Sequence, residues 1–296
     1  MRVGDGHAMM APTRVAAVQM VSGQSVPQNL LRMSALVAQA AQEGARVVLL
    51  PEYFCLMGAD PRDKCRVAER AWPIGTSAPE PGVSQPIQAA LSEAARLSGV
   101  WLIGGTVPLA SPDPSRVFNA TLVFDAQGAL VARYDKLHLF SFQQGQESYD
   151  ESQTILAGAA PVACETPAGR TALSVCYDIR FPEFFRSLAQ PEPLDLIVVP
   201  AAFTETTGRA HWELLLRARA VENQCWLLAS AQGGLHENGR RTWGHSMLID
   251  PWGEVVERLA TGEGIVSGVV DPQRTAAIRL NLPALAHRRV GLTKED

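Results

Sequence analysis

Three polar side chains occupy the same kind of place in this 296-residue chain. Glu52 closes an apolar run in LLPEYF, Lys136 follows a strand-like segment in RYDKLHLF, and Cys176 closes another in ALSVCYDIRFPE. In α/β sheets, strand ends are where side chains from distant parts of the chain converge on a ligand. A thiol attacks as its thiolate and needs a base near neutral pH. No Cys–His pairing is evident from spacing. A carboxylate can serve as that base if burial raises its pKa, and Glu52 follows the apolar run VVLLP. A neighbouring lysine can stabilise both a thiolate and a developing oxyanion. Together, Glu, Lys and Cys make a workable apparatus for acyl transfer. Singly, each has a plainer reading: Glu and Lys usually face solvent, and a free Cys is usually a small core hydrophobe.

Other chemistries lack their residues. Gly262-Glu-Gly264 opens a strand-like segment rather than a helix, so it is not a dinucleotide fingerprint. Gly244-His-Ser-Met lacks the last glycine of a serine-hydrolase elbow. The histidines form no close metal-ligand pair. The five cysteines (Cys55, Cys65, Cys164, Cys176, Cys225) are odd in number with no CxxC spacing, which fits a reducing cytoplasm better than a disulfide framework. Lys plus Arg total 26 against 30 Asp plus Glu, a net charge of −4, so nothing favours a nucleic-acid partner. The longest apolar run, Leu196 to Phe203, contains a proline and is too short to span a membrane. The N-terminal MRVGDGHAMMAP has no apolar core of a signal peptide and reads as a tail over residues 1–12.

The elements that must carry the three residues alternate in type. Strands are expected at Arg14–Met20, Arg46–Glu52, Val100–Gly104, Val117–Phe124, Ala129–Tyr134, Thr171–Cys176, Leu194–Val199, Trp226–Ala231, Gly244–Asp250, Glu254–Glu257 and Ile265–Val270. Helices are expected at Gln28–Glu43, with Leu31, Ala35, Val37, Ala38 and Ala41 as its buried stripe, and at Ser84–Ser98, Glu183–Leu188 and Arg209–Asn223. A last helix starts at Pro272 behind an Asp271 N-cap. Residues 141–160 read as a long connection without periodicity, the kind of loop that often carries function. Buried strands interleaved with helices and hairpin signals predict one α/β layered domain with mixed sheets over residues 13–296.

At these residues the sequence resembles the nitrilase superfamily of carbon–nitrogen hydrolases. The resemblance rests on Leu50-Pro-Glu52, Asp135-Lys136-Leu-His-Leu-Phe140 and Ser174-Val-Cys176-Tyr-Asp-Ile-Arg-Phe-Pro-Glu183, in that order, and covers the chain after about residue 13. It implies a four-layer α-β-β-α sandwich, with Glu52 as general base, Lys136 as oxyanion stabiliser and Cys176 as nucleophile. It also implies a second glutamate in the loop after the lysine: Glu151 in Tyr149-Asp-Glu-Ser152, with Glu147 as runner-up. Cys176-Tyr-Asp-Ile-Arg180 is similar to the amidase branch rather than to the Cys-Trp-Glu-Asn of true nitrilases. Thr207–Trp226 resembles the deaminated glutathione amidases and omega-amidases, and Ala231–Ser246 is closer to the former. Arg209 and Trp243 depart from that pattern, which often has Pro and Tyr there.

The implied reaction is hydrolysis of the terminal carboxamide of a small 2-oxo acid, foremost deaminated glutathione, to the carboxylate and ammonia through a cysteine thioester. No metal or organic cofactor is needed. Omega-amidase action or another small-amide or N-carbamoyl hydrolysis is the alternative, and a catalytically silent interaction module is the non-enzymatic one. The backbone N–H of Tyr177 is expected at the oxyanion, and Phe203 and Thr204 are expected to line the pocket. Arg180 is the candidate for the substrate carboxylate, or else a structural ion pair with Asp178 or Glu183. The helix at Arg209–Asn223 has apolar residues on more than one face, which predicts a homodimer or higher even oligomer with this helix at its two-fold interface, where Leu216→Arg would bring two like charges together if Leu216 lies near the axis.

Overall fold

The protein is described here from a computed structural model covering residues 11–78, 82–145 and 147–290. The expected tail lies outside these residues up to position 10, and the first strand begins at Thr13.

Two six-membered runs of strands form the body. In the first sheet, Thr13–Gln19, Val47–Leu49 and Trp101–Ile103 pair in parallel. Gly264–Val270 adds antiparallel on one side, and Val117–Phe124 on the other, followed by Val107–Ala110. Leu130–Asp135 also pairs with Val117–Phe124. In the second sheet, Gly169–Leu173, Leu196–Ala201 and Trp226–Ala231 are parallel at the centre. Val162–Thr166, Ser246–Ile249 and Val255–Leu259 complete it with antiparallel pairings. Parallel neighbours need crossovers, and hairpins supply the edges, so both sheets are mixed.

The helices are α1 (Val26–Gln42), α2 (Asp63–Arg66), α3 (Pro86–Ser98), α4 (Pro182–Leu188), α5 (Glu205–Asn223) and α6 (Pro272–Asn281). Alternation along the first strand explains the layers. Val15 and Ala17 face the second sheet and share a core with Leu173, Leu196 and Val198. Ala16 and Val18 point the other way, into a core with Met33 and Leu36 of α1 and Leu91 of α3. A strand buried on both faces must be apolar throughout, as RVAAV is. Trp212, Leu216 and Ala220 of α5 cover the outer face of the second sheet. The order is α-β-β-α, as the resemblance implied.

Several expectations need correction. Helix α1 buries Met33, Leu36, Val37 and Ala40, whereas Leu31 is 74% exposed. Both stripes have helical spacing, and the one with more apolar area is buried. Helix α5 starts one turn before Arg209, because the Thr204 hydroxyl accepts from Thr207 N and caps it. Leu216 is fully buried within the chain, so it is not on an outer face; Leu214 and Val221 are. The stretch 141–160 is not featureless: Ser141–Gln144 and Glu147–Asp150 form a hairpin, followed by a 3-10 turn at Glu151–Gln153. Asp271 caps α6 through Gln273 N, as expected.

Candidate active site

Glu52 lies three residues beyond the strand Val47–Leu49, inside the protein. Its Oε1 accepts from Asn119 Nδ2 at 2.9 Å and Lys136 Nζ at 2.9 Å, and its Oε2 accepts from Ala202 N at 2.9 Å. Three donors from three segments fix the carboxylate in orientation. The next residue, Tyr53, has φ 58° and donates its N–H to Thr106 Oγ1 at 2.9 Å, which turns the chain away after Glu52.

Lys136 follows the strand Leu130–Asp135 and is wholly buried. Its ammonium sits 2.9 Å from Glu52 and 2.8 Å from Glu151 Oε2. Burial opposes the lysine's charge, but Glu151 and Glu52 outweigh it and hold its pKa well above the ordinary value. Burial likewise opposes the charge of Glu151, but Lys136 and the Phe140 N–H, 2.8 Å from its Oε2, hold its pKa below the ordinary value. The Tyr53 hydroxyl donates to Glu151 Oε1 at 2.9 Å. The side chain of Glu147, the runner-up, lies outside the described residues.

Cys176 does not end a strand. The strand Gly169–Leu173 stops earlier, and Cys176 opens a 3-10 turn over Cys176–Arg180 with φ 49°. A non-glycine residue in this left-handed region is strained by about 1 kcal/mol or more, so its surroundings must hold it. Asp178 does so from full burial. It accepts from Val175 N at 2.8 Å, Tyr134 OH at 2.7 Å and His138 N at 3.2 Å, and its Oδ1 lies 2.7 Å from His138 Nδ1. Burial, and then Glu52, push the thiol of Cys176 well above its usual pKa against the pull of Lys136. The resting group is therefore a neutral thiol beside a fixed carboxylate.

Glu52, Glu151, Cys176, Tyr177, Phe203 and Thr204 line one pocket, over the buried Lys136. Arg180 is not on that lining. Its guanidinium lies 5.7 Å from the Tyr177 ring centre and 5.5 Å from that of Phe203, the two aromatic rings that are. Neither ion pair considered for it forms among the described residues, and Asp178 is committed to His138 and Tyr134. Glu213 pairs with Arg258 at 2.8 Å on the surface, and Trp212 Nε1 donates to His245 O at 2.9 Å, so both are structural. Arg209 and Trp243, the two departures from the family pattern, contact each other, with 5.8 Å between guanidinium and ring centre.

Sequence reasoning passed over Asn119, Tyr53 and Arg240, and read Asp178 only as a partner for Arg180. Asn119 left a signal: it is the one strongly polar residue in VFNATLVF. Arg240 left none, because an arginine in a turn after ENG reads as solvated.

The carbon–nitrogen hydrolase family model matches residues 14–280. The chain is 37% identical over 283 residues to a deaminated glutathione amidase of Yersinia enterocolitica, covering 95% of this chain and 94% of the relative. It is 36% identical over 284 residues to the omega-amidase of Mus musculus, covering 96% and 97%. The crystal structure of the C. elegans NitFhit protein superposes with a TM-score of 0.85 at 33% identity. That match covers 95% of this chain but 66% of the longer C. elegans chain. With the sandwich, the convergent acid, lysine and thiol, and these similarities in hand, the chain is assigned without ambiguity: it belongs to the carbon–nitrogen hydrolase family, on its amidase branch.

Proposed function

We propose that the protein is a thiol amidohydrolase acting on a small 2-oxo acid amide, with deaminated glutathione as the first substrate. The observation that carries the chemistry is a buried lysine between two carboxylates, beneath a pocket that Cys176 also lines. Its similarity to deaminated glutathione amidases supports the substrate. Its comparable similarity to an omega-amidase keeps unsubstituted 2-oxo amides as the second reading.

In this mechanism Glu52 takes the thiol proton as Cys176 attacks the amide carbon. The oxyanion is held by Lys136 and by the Tyr177 N–H, which lies in the first turn of a 3-10 segment and so has no intrahelical acceptor. The C–N bond breaks as protonated Glu52 delivers its proton to the leaving amine. Water, deprotonated by Glu52, then opens the thioester. Glu151 holds Lys136 in place. Deaminated glutathione is the 2-oxo counterpart of γ-glutamylcysteinylglycine, so its scissile amide is N-substituted and the amine released is cysteinylglycine. Ammonia, expected above, is the product of an unsubstituted amide only. Arg180 lies outside the pocket lining, against the rings of Tyr177 and Phe203, and is the proposed partner of the 2-oxo acid carboxylate.

One catalytic domain over residues 13–296 is supported by the family match to 14–280. A homodimer through α5 is supported by Leu214, Val221 and nearby Trp252, 67%, 46% and 55% exposed. No described helix is long and apolar enough to cross a membrane, and all five cysteines are free, which fits a reducing cytoplasm.

The test is a panel of deaminated glutathione, 2-oxoglutaramate, ureido acids, aliphatic amides and nitriles. Release of 2-oxoglutarate, ammonia and cysteinylglycine is measured. We expect the 2-oxo amides to be hydrolysed fastest. Turnover of ureido acids or nitriles alone would overturn the substrate assignment.

A further inference from the structure

A second, more open cavity adjoins the pocket of Cys176. The two share Phe140, Glu151 and Arg240 at their neck. The outer cavity is also lined by Lys64 of α2. The Lys64 ammonium touches no carboxylate among the described residues. It lies 3.4 Å from Thr154 Oγ1 and 5.2 Å from the centre of the Tyr53 ring, whose hydroxyl bonds Glu151. Arg240 is anchored rather than paired. Its Nη2 donates to Ala202 O at 2.9 Å, its Nη1 lies 3.9 Å from Met57 Sδ, and its guanidinium sits 5.6 Å from the Tyr149 ring centre. Its Nε is buried without a partner.

The acids of the outer cavity are already engaged. Glu151 is held by Lys136, Tyr53 and Phe140 N. Asp150 accepts from Ser152 N and Oγ, and Asp60 accepts from Arg62 N. Neither Lys64 nor Arg240 thus pairs with a carboxylate among the described residues. Lys64 and Arg240 are half-buried, and a partly desolvated cation without a carboxylate partner favours an anionic occupant. Burial lowers the pKa of Lys64 against the opposing field of Glu151, and an incoming carboxylate would reinforce that field.

We propose that the outer cavity is a leaving-group subsite, in which Lys64, with Arg240 at the neck, receives a carboxylate carried by the amine half of an N-substituted amide. The inference rests on acyl transfer at Cys176 as proposed above and extends it to the other side of the scissile bond. The acyl half lies toward Tyr177 and Phe203, and the amine half extends past Glu151 and Phe140 to Lys64. The preferred substrates are then amides of short, peptide-like amines that end in a carboxylate, and the released amine departs through the open side. An unsubstituted amide leaves this subsite unused.

The test compares deaminated glutathione with the same compound amidated at its C-terminal carboxyl, and with 2-oxoglutaramate, by kcat/KM. The wild type should favour the free acid over its C-terminal amide about tenfold, the size of one charge-assisted hydrogen bond. Lys64→Gln should bring that ratio close to one, and Lys64→Arg should retain most of it. Equal rates on acid and amide in the wild type would overturn the subsite and leave the amidase reading intact. So would a preference untouched by Lys64→Gln, or turnover of 2-oxoglutaramate with neither glutathione derivative. Failure on all three compounds would instead remove the reading on which the subsite rests.

Discussion

Glu52 Oε1 and Lys136 Nζ lie 2.9 Å apart, and neither side chain is more than 1% exposed. Separate strands of the first sheet carry them, and Asn119 ties the two strands' ends together. Its side chain donates to Glu52 and its carbonyl accepts from Lys136 N at 3.1 Å. The pair is therefore part of the packing as well as part of the chemistry, and its loss should show in both.

Lys136→Met keeps most of the aliphatic stem and deletes the ammonium. We expect kcat to fall at least about a hundredfold, as when one oxyanion donor is removed. Two carboxylates would also face each other without a cation, costing about 3–5 kcal/mol of stability. Steady-state kinetics and denaturant unfolding measure the two. A variant with near-normal kcat would show that Lys136 has no role at the oxyanion.

Cys176→Ala should abolish turnover and retain the fold, as read by circular dichroism. Alanine at Cys55 or Cys225, both buried, should cost stability but leave kcat within a few-fold. Activity in the Cys176 variant above background would refute the thioester route.

Asp178→Asn is nearly isosteric but replaces an acceptor with a donor facing Val175 N–H and the Tyr134 hydroxyl. The turn that holds Cys176 at positive φ loses its anchor. We expect a loss of about 1–3 kcal/mol and a fall in kcat larger than any change in KM. Unchanged kinetics would show that the turn is held by other contacts.

Glu151 supplies a pH dependence of defined sign. Its folded-state pKa is depressed, so its stabilisation is complete above the ordinary glutamate value of about 4.3. That contribution is lost as pH falls through the lower folded-state value. Melting temperatures followed downward from about pH 6 should drop in the wild type, and this part of the drop should be missing in Glu151→Gln. Parallel curves for the two proteins would contradict the assignment.

Assembly is tested on the exposed side of α5. Leu214→Arg should give a monomer by sedimentation if that helix forms the two-fold contact, because each substitution appears twice in such an interface. A wild-type protein that is monomeric and fully active at micromolar concentration would dismiss the dimer. Leu216→Arg does not test it, since Leu216 lies in the core and its change would unfold the chain.

The layered fold and two members of the candidate site stood out in the sequence for a local reason. Strands buried on both faces leave continuous apolar runs, and polar residues soon after such runs stand out, as Glu52 and Cys176 do; Lys136 follows an alternating strand that ends in RYD. The residues that orient them were not legible, because their meaning is a contact rather than a pattern. Asn119 matters through Glu52 and Lys136, Asp178 through a backbone turn, and Lys64 through a cavity shared by distant loops. Helix α5 marks the same divide: its composition announced apolar residues on several faces, and only packing against the second sheet decided that Leu216 goes in and Leu214 out. Periodicity fixes which residues share a face, but the surface that meets that face is set by chain segments far away, so burial and partnership belong to the tertiary structure.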